Sequence, residues 1–168
     1  MMISPRIKSK SGMTIMELLI AVVIVGIVAA MAVPRFQIAY ERIKFRAATR
    51  EITSKIRLAR SFAVSTKAQH GVYFDQTSLS YILFKDLVNT GAMQYDAGDS
   101  IISLDTLPPV FTFLGTDDIN NSIVFRSNGS TSGTVNVITM ASTPDIIAVH
   151  QHTILAATGR IETLSAYY

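Results

Sequence analysis

The strongest constraint in this sequence is an apolar run near the N-terminus. Residues 18–33 are sixteen consecutive residues without a charged side chain, and residues 13–17 extend the run with a single charge, Glu17. A helix of about 20 apolar residues spans a hydrocarbon core about 30 Å thick. Lys8 and Lys10 lie just before the run, so the positive-inside rule predicts a cytoplasmic N-terminus. The sequence therefore predicts a single-pass membrane protein whose C-terminal part lies outside.

Glu17 is the residue that distinguishes between the possible explanations for this apolar run. An ordinary secretory signal has about 7–15 apolar residues before a small-x-small cleavage site. The run here is longer, although residues 29–32 do offer small side chains. A plain signal anchor is the other alternative. Neither explains a carboxylate, which costs about 2.5–3.5 kcal/mol at a bilayer centre. Cleavage between Gly12 and Met13 would create an α-amino group that pairs with Glu17 of a neighbouring copy.

The residues around this bond carry a family resemblance. Residues 10–20 read Lys-Ser-Gly-Met-Thr-Ile-Met-Glu-Leu-Leu-Ile, which resembles the class III signal of type IV pilins and pseudopilins. The resemblance implies that prepilin peptidase cuts after Gly12, that Met13 becomes N-methylated, and that Glu17 serves assembly. Pro34 matches the helix-kinking proline of that family.

The pattern continues beyond Pro34 as an amphipathic helix. Apolar residues recur at steps of three and four in two stripes. The first stripe is Phe45, Ala48, Ile52, Ile56, Ala59 and Ala63, and the second is Phe36, Tyr40, Ile43 and Ala47. We therefore expect a leader at 1–12, a transmembrane and assembly half of the helix at 13–34, an amphipathic half at 35–65, and a β-rich domain at 66–168.

The sequence pattern of the C-terminal region indicates strands separated by turns. Turn signals are Asn128-Gly129, Pro144-Asp145 and Thr158-Gly159, and residues 86–109 suggest a loop with one irregular strand. The predicted strands are 70–75, 79–85, 110–114, 122–126, 133–140, 146–155 and 160–164. The expected fold class is α+β: a long N-terminal helix, hydrophobic in its first half and kinked near Pro34, packed on an antiparallel β-sheet domain.

This region resembles the GspH/FimT-like minor pilins. The resemblance rests on residues 55–63, on Ile-Val-Phe at 123–125 followed by Gly129, and on a last hairpin ending Thr-Gly-Arg-Ile at 158–161. It implies a minor pilin or pseudopilin that assembles into, or primes, a type IV pilus or a type II secretion pseudopilus. The implied partners are prepilin peptidase, other pilin or pseudopilin subunits, the inner membrane and its assembly platform. A major subunit and an unrelated membrane-anchored binding domain remain alternatives; the absence of cysteine disfavours the disulfide loop common in major pilins.

No residue pattern argues for catalysis. His150 and His152 would share one face of a strand, but with His70 as the only other histidine and no cysteine they favour solvated side chains over a metal site. Asp117-Asp118 lacks an ordered series of oxygen ligands and indicates a loop. Nucleotide-binding and nucleophile-elbow motifs are absent. We expect no enzyme activity, no cofactor and no metal.

DNA uptake is the remaining alternative. Residues 35–60 contain eight Lys or Arg against Glu41 and Glu51, and such a stretch contacts DNA, anionic headgroups or solvent. DNA-binding relatives in the FimT branch have a C-terminal Gly-Arg-x-Arg motif. Here that motif reads Gly-Arg160-Ile-Glu162, and the acid would repel phosphate. The sequence makes Arg160 the candidate DNA contact and disfavours DNA as a partner.

Overall fold

The structure, a computed structural model, describes residues 12–118, 120–131, 135–142 and 148–167. The described residues form one helix and eight strands. These are α1 (Ile15–Thr66), β1 (His70–Asp75), β2 (Ser80–Lys85), β3 (Ser100–Thr106), β4 (Phe111–Thr116), β5 (Ser122–Phe125), β6 (Val135–Ser142), β7 (Ala148–Leu155) and β8 (Arg160–Tyr167). The chain divides into two compact units, Met1–Gln37 and Ile38–Tyr168.

The first unit contains the apolar part of α1. The helix begins at Ile15, two residues later than expected, because Thr14 acts as its N-cap. The Thr14 hydroxyl accepts a hydrogen bond from the Glu17 backbone N–H at 3.2 Å. Helical structure continues through Pro34 without local melting, since proline removes only one backbone donor. A kink at Pro34 stays a prediction. By length and composition this helix can cross a membrane.

The second unit is built on the remaining part of α1. The predicted first stripe is confirmed, and Thr49 joins it because its hydroxyl donates to the Phe45 carbonyl at 2.8 Å. The buried helix residues are Phe45, Ala48, Thr49, Ile52, Ile56, Ala59 and Ala63. Tyr40 and Ile43 of the second stripe stay exposed in the single chain. The helix therefore has one face that packs on the domain.

Two antiparallel sheets receive that face. The first sheet has the order β3-β2-β1-β5 and the second has the order β4-β6-β7-β8. One core joins the helix to both sheets, with Phe74 and Phe125 from the first and Leu114 and Met140 from the second. The expected α+β class, a helix packed on antiparallel sheets, is confirmed.

The segment between β2 and β3 differs most from a simple loop. It contains the irregular strand that the sequence suggested: β3 pairs with β2, and the register shifts between Leu83 and Phe84. Residues Met93 and Tyr95 cover the outer face of the first sheet, where Tyr95 stacks on Tyr73 with ring centroids 5.0 Å apart. The strand β2 is therefore buried on both faces, in agreement with its almost continuously apolar sequence, whereas β3 at the edge of the sheet stays largely exposed.

The other strands agree with the sequence to within a few residues. Two of the predicted turns are confirmed, because Gly129 N–H bonds the Arg126 carbonyl and Gly159 N–H bonds the Leu155 carbonyl. The predicted turn at Pro144-Asp145 lies outside the described residues.

Candidate functional site

The candidate assembly segment begins just before α1. Gly12 and Met13 precede the helix and are exposed, and Met13 is 64% accessible. A Cβ atom added at Gly12 would meet no atom of the described residues within 4 Å. The fold of this chain therefore does not require glycine at position 12.

Glu17 lies in the first turn of α1 and is exposed. A carboxylate in a first turn interacts favourably with the positive end of the helix dipole. Within the described residues, no hydrogen bond or ion pair involves the Glu17 carboxylate. The apolar side chains that follow it, such as Leu18 and Ile20, are more than half exposed. This arrangement leaves a carboxylate and a lipid-compatible helix surface available to other molecules.

A second candidate surface lies on the domain, where α1 passes beside β8. Two adjoining depressions of about 690 and 870 Å³ share Arg57. We call them together the arginine groove, and its cationic residues are Arg46, Arg50, Arg57, Arg60 and Arg160. From the sequence, the basic stretch 35–60 was expected to contact DNA, anionic headgroups or solvent. That four of its arginines line a groove together with Arg160 was not predicted. An arginine spacing of three, four and seven residues on α1 was the available signal.

Arg160 follows a turn that is tightly held. Arg60 Nε donates to the Gly129 carbonyl at 3.2 Å, and Gly159 adopts a left-handed φ of +62°. A Cβ at Gly159 would collide with the Gly129 carbonyl oxygen, so only glycine fits there. Arg160 itself is exposed, and its Nη2 lies 3.4 Å from Glu162 Oε1. Glu162, which was expected to repel phosphate, therefore also pairs with Arg160, the candidate DNA contact.

The prediction of solvated histidines is wrong. His150 and His152 do share one face of β7, but this face packs on α1, and His152 is only 1% exposed. His152 Nε2 lies 3.1 Å from Thr53 Oγ1 and its Nδ1 lies 3.0 Å from Thr163 Oγ1. Burial, and secondarily the nearby His150 and Arg57, lower the pKa of His152 to about 4. His152 is therefore a neutral structural residue at the floor of the arginine groove.

His150 has a similar environment. Its ring packs edge-on against Phe45 with centroids 5.2 Å apart, and its Nδ1 lies 3.0 Å from Ser165 Oγ. Burial, followed by the charge of Arg46, lowers its pKa. Both nitrogens of His152 and the Nδ1 of His150 thus contact hydroxyl groups. Asp117 and Asp118 lie in a turn after β4, as expected, where Asp117 Oδ1 accepts the Val137 N–H at 2.8 Å.

Comparisons with known proteins agree with this architecture. Among solved structures, the type IV minor pilin FimU of Pseudomonas aeruginosa has a TM-score of 0.58 and 16% identity, covering 74% of this chain and 90% of that chain. The minor pseudopilin EpsH from the Type 2 Secretion System of Vibrio cholerae has a TM-score of 0.52 and 15% identity, covering 71% and 95%. At these identities the likeness establishes the pilin-like fold. A comparison with curated proteins gave no significant match.

Two family models match the sequence. The one described as Prokaryotic N-terminal methylation motif matches residues 7–33, which include Gly12, Met13 and Glu17. The one described as Type II transport protein GspH matches residues 48–156, more than half of the chain, and covers most of the domain. The protein therefore belongs to the Type II transport protein GspH family and carries a prokaryotic N-terminal methylation motif at its N-terminus.

Proposed function

We propose that this protein is a minor pilin or pseudopilin. It inserts in the inner membrane with its N-terminus cytoplasmic and its domain periplasmic, is cut after Gly12 by prepilin peptidase, and assembles into or primes a type IV pilus or type II secretion pseudopilus. The observation that carries this proposal is Glu17. Its carboxylate has no partner among the described residues and stands at the start of an exposed apolar helix, next to the bond whose cleavage would supply a cation.

Processing is tested on the N-terminus of the native protein. We expect mass spectrometry of the mature chain to find Met13 first, carrying one methyl group. Gly12→Val should block the cut, because the bulky side chain should not fit a peptidase cleft that accepts glycine. Gly26→Val is the matched control, since a Cβ at Gly26 also meets no atom of the described part of the chain within 4 Å. A native N-terminus at Met1, or one beyond Ala29, would contradict the proposal.

Assembly is tested at Glu17. In a filament the α-amino group of one copy would approach Glu17 of its neighbour in a low-dielectric helix bundle. Removing one partner of such a pair typically costs 3–5 kcal/mol, because the other charge stays buried and unpaired. Membrane insertion should not suffer, since the apolar span loses its one costly residue. Glu17→Val should therefore be cut, stable and membrane-bound, yet poorly incorporated.

The experiment expresses Glu17→Val in a deletion strain, checks cleavage and protein level by immunoblot, and counts filaments or measures secretion. Glu41→Val is the matched control, because Glu41 is an exposed glutamate on the same helix outside the apolar run. Full function of Glu17→Val would refute the pairing. A degraded product would show that Glu17 serves folding instead.

Whether the protein is a minor or a major subunit is tested by its abundance in the filament. A minor subunit is scarce in sheared filaments, yet its deletion reduces filament number or secretion. Quantitative mass spectrometry of sheared material decides this. If this chain formed the bulk of the filament, the proposed minor role would be wrong.

The arginine groove favours DNA binding as a second candidate function. Its five arginines supply the positive surface that phosphates bind, and Arg57 and Arg160 line the same depression. We expect the detergent-solubilised full chain to bind duplex DNA weakly, with affinity falling steeply as salt rises. Each lost phosphate contact should reduce the slope of log K against log salt by about 0.9. Submicromolar binding at physiological salt that Arg57→Ala and Arg160→Ala abolish, and Lys85→Ala does not, would favour an uptake receptor.

A further inference from the structure

The segment between β2 and β3 contains three aspartates with different surroundings. Asp99 is engaged with backbone donors: its Oδ1 accepts the N–H groups of Leu87 and Val88 at 2.9 and 3.0 Å, and its Oδ2 accepts the N–H of Asp96 at 2.9 Å. A carboxylate that accepts three backbone bonds organises the segment around itself. Asp99 therefore positions this segment, and Asp96 uses its Oδ1 to accept a hydrogen bond from Gln94 Nε2 at 2.8 Å.

Asp86, the residue directly after β2, is the unexplained group. Its side chain is only 2% exposed, and neither carboxylate oxygen has a hydrogen-bond partner. Asp96 Oδ2 and Gln69 Oε1 are also buried without a partner. Asp96 and Asp99 lie close enough to Asp86 for their charges to act on it. Four buried oxygen atoms thus lack a donor, and they belong to residues that the fold brings together.

Strand pairing explains why Gln69 belongs to this set. The Asp86 N–H donates to the Gln69 carbonyl at 3.0 Å, which extends the register of His70 opposite Lys85. Residues directly opposite each other in an antiparallel pair have side chains on the same face of the sheet. The Gln69 amide and the Asp86 carboxylate therefore lie on one face, next to the segment that contains Asp96.

Buried carboxylates require compensation. Leaving such a group without a partner costs free energy, and several like charges in one place raise that cost. Lys55 pairs with Asp105 and Arg160 pairs with Glu162, and among the described residues no ion pair involves Asp86, Asp96 or Asp99. A protein cation therefore does not neutralise this cluster. A bound cation that accepts lone pairs from these oxygen atoms would compensate both their charge and their missing hydrogen bonds.

We propose that the Asp86 carboxylate, Asp96 Oδ2 and the amide oxygen of Gln69 bind a calcium-type divalent cation. All of the proposed ligands are oxygen atoms, whereas zinc sites in proteins are built mainly from histidine nitrogen and cysteine sulfur. Calcium accepts six to eight oxygens in irregular geometry, and water or backbone carbonyls complete its shell, whereas magnesium demands a near-ideal octahedron. Within the described residues no three His, Cys, Asp or Glu side chains converge on one point, so the proposed site has two carboxylates and takes its third protein oxygen from Gln69.

The proposed ion has a structural consequence beyond the assembly function. It ties β2, through Asp86, to the segment that places Met93 and Tyr95 on the outer face of the first sheet. That face and the neighbouring β3 strand would be ordered more firmly when the ion is bound. The site lies in the domain and does not depend on the N-terminal helix.

The test uses the detergent-solubilised full chain, treated with EDTA and then titrated with CaCl₂ to about 5 mM, above the 0.1–1 mM range of extracellular-type sites. Thermal unfolding should shift upward by about 3–8 °C. Asp86→Asn should lose this shift and, in EDTA, unfold at a higher temperature than the wild type, because it no longer buries an uncompensated charge. Asp117→Asn, an exposed aspartate of the other sheet, should respond to calcium as the wild type does.

The outcomes separate the site from general effects. Wild-type protein that ignores calcium would overturn the proposal. An equal shift with MgCl₂, or an Asp86→Asn protein that keeps the calcium shift, would also overturn it by indicating general charge screening. An Asp86→Asn protein that loses the calcium shift and melts at a higher temperature than the wild type in EDTA supports the proposal. If Asp86 had a purely structural role, the Asp86→Asn substitution would only lower the melting temperature.

Discussion

The buried His152 makes the stability of the domain depend on pH in a calculable way. Its pKa in the folded chain is about 4, against an ordinary value of 6.5. The unfolded chain therefore binds a proton below pH 6.5, while the folded chain does not until about pH 4. Stability from the neutral imidazole is present above pH 6.5 and is lost as the pH falls toward 4.

The magnitude follows from the size of this difference. One pKa unit corresponds to about 1.4 kcal/mol, and only part of the titration is complete at pH 5. We expect His152 to remove about 1–2 kcal/mol of the free energy of unfolding between pH 7 and pH 5. For a domain of this size the melting temperature should fall by roughly 3–8 °C. His150, whose pKa is also lowered, acts in the same direction.

Asp86 acts in the opposite direction, so the wild type alone is not decisive. Burial, then the charges of Asp99 and Asp96, raise its pKa to about 6. The buried negative charge of Asp86 destabilises the fold, and protonation of this carboxylate removes the charge as the pH falls. Comparison with His152→Gln cancels this contribution, because Asp86 is present in both proteins. The variant keeps an amide that can bond Thr53 and Thr163 but cannot titrate.

The assay is thermal unfolding of the detergent-solubilised chain at pH 7 and pH 5, in EDTA. Between pH 7 and pH 5, the free energy of unfolding of the wild type should fall by about 1–2 kcal/mol more than that of His152→Gln. Gln151→Asn, on the other face of the same strand, should behave as the wild type. Equal losses in wild type and His152→Gln would show that His152 becomes protonated inside the folded domain, and would refute the burial argument.

Three further predictions concern packing and are checked by the same unfolding measurement at neutral pH. Gly159→Ala should cost about 2–4 kcal/mol, because its Cβ meets the Gly129 carbonyl and its φ is left-handed; a smaller cost would mean that the turn can shift. Ile56→Ala should cost about 2–5 kcal/mol, against less than about 0.5 kcal/mol for Ile102→Ala on the exposed face of β3. Lys55→Met should cost about 0.5–1 kcal/mol, since the Lys55 Nζ–Asp105 Oδ2 pair at 2.6 Å is partly exposed.

The sequence predicted the elements of the domain well where the signal was local. The stripe on α1 matched the buried face, with Thr49 as the one addition, because a period of 3.6 residues is visible within the helix itself. The strand β7 was also recognised, and its alternation was correct. Its face was assigned to solvent because alternation says which residues share a face, and not which face another element covers.

By itself, the sequence determined the N-terminal part of this protein. An uncharged run, its single acid, the preceding glycine and the basic residues before them are contiguous, so their meaning does not depend on how the chain folds. Only the tertiary structure decided the surroundings of distant residues. It gathered arginines from position 46 to position 160 into one groove, covered the outer face of the first sheet with Tyr95, and buried Asp86 without a partner. Burial and charge proximity arise from contacts between residues far apart in the chain, and no local pattern encodes them.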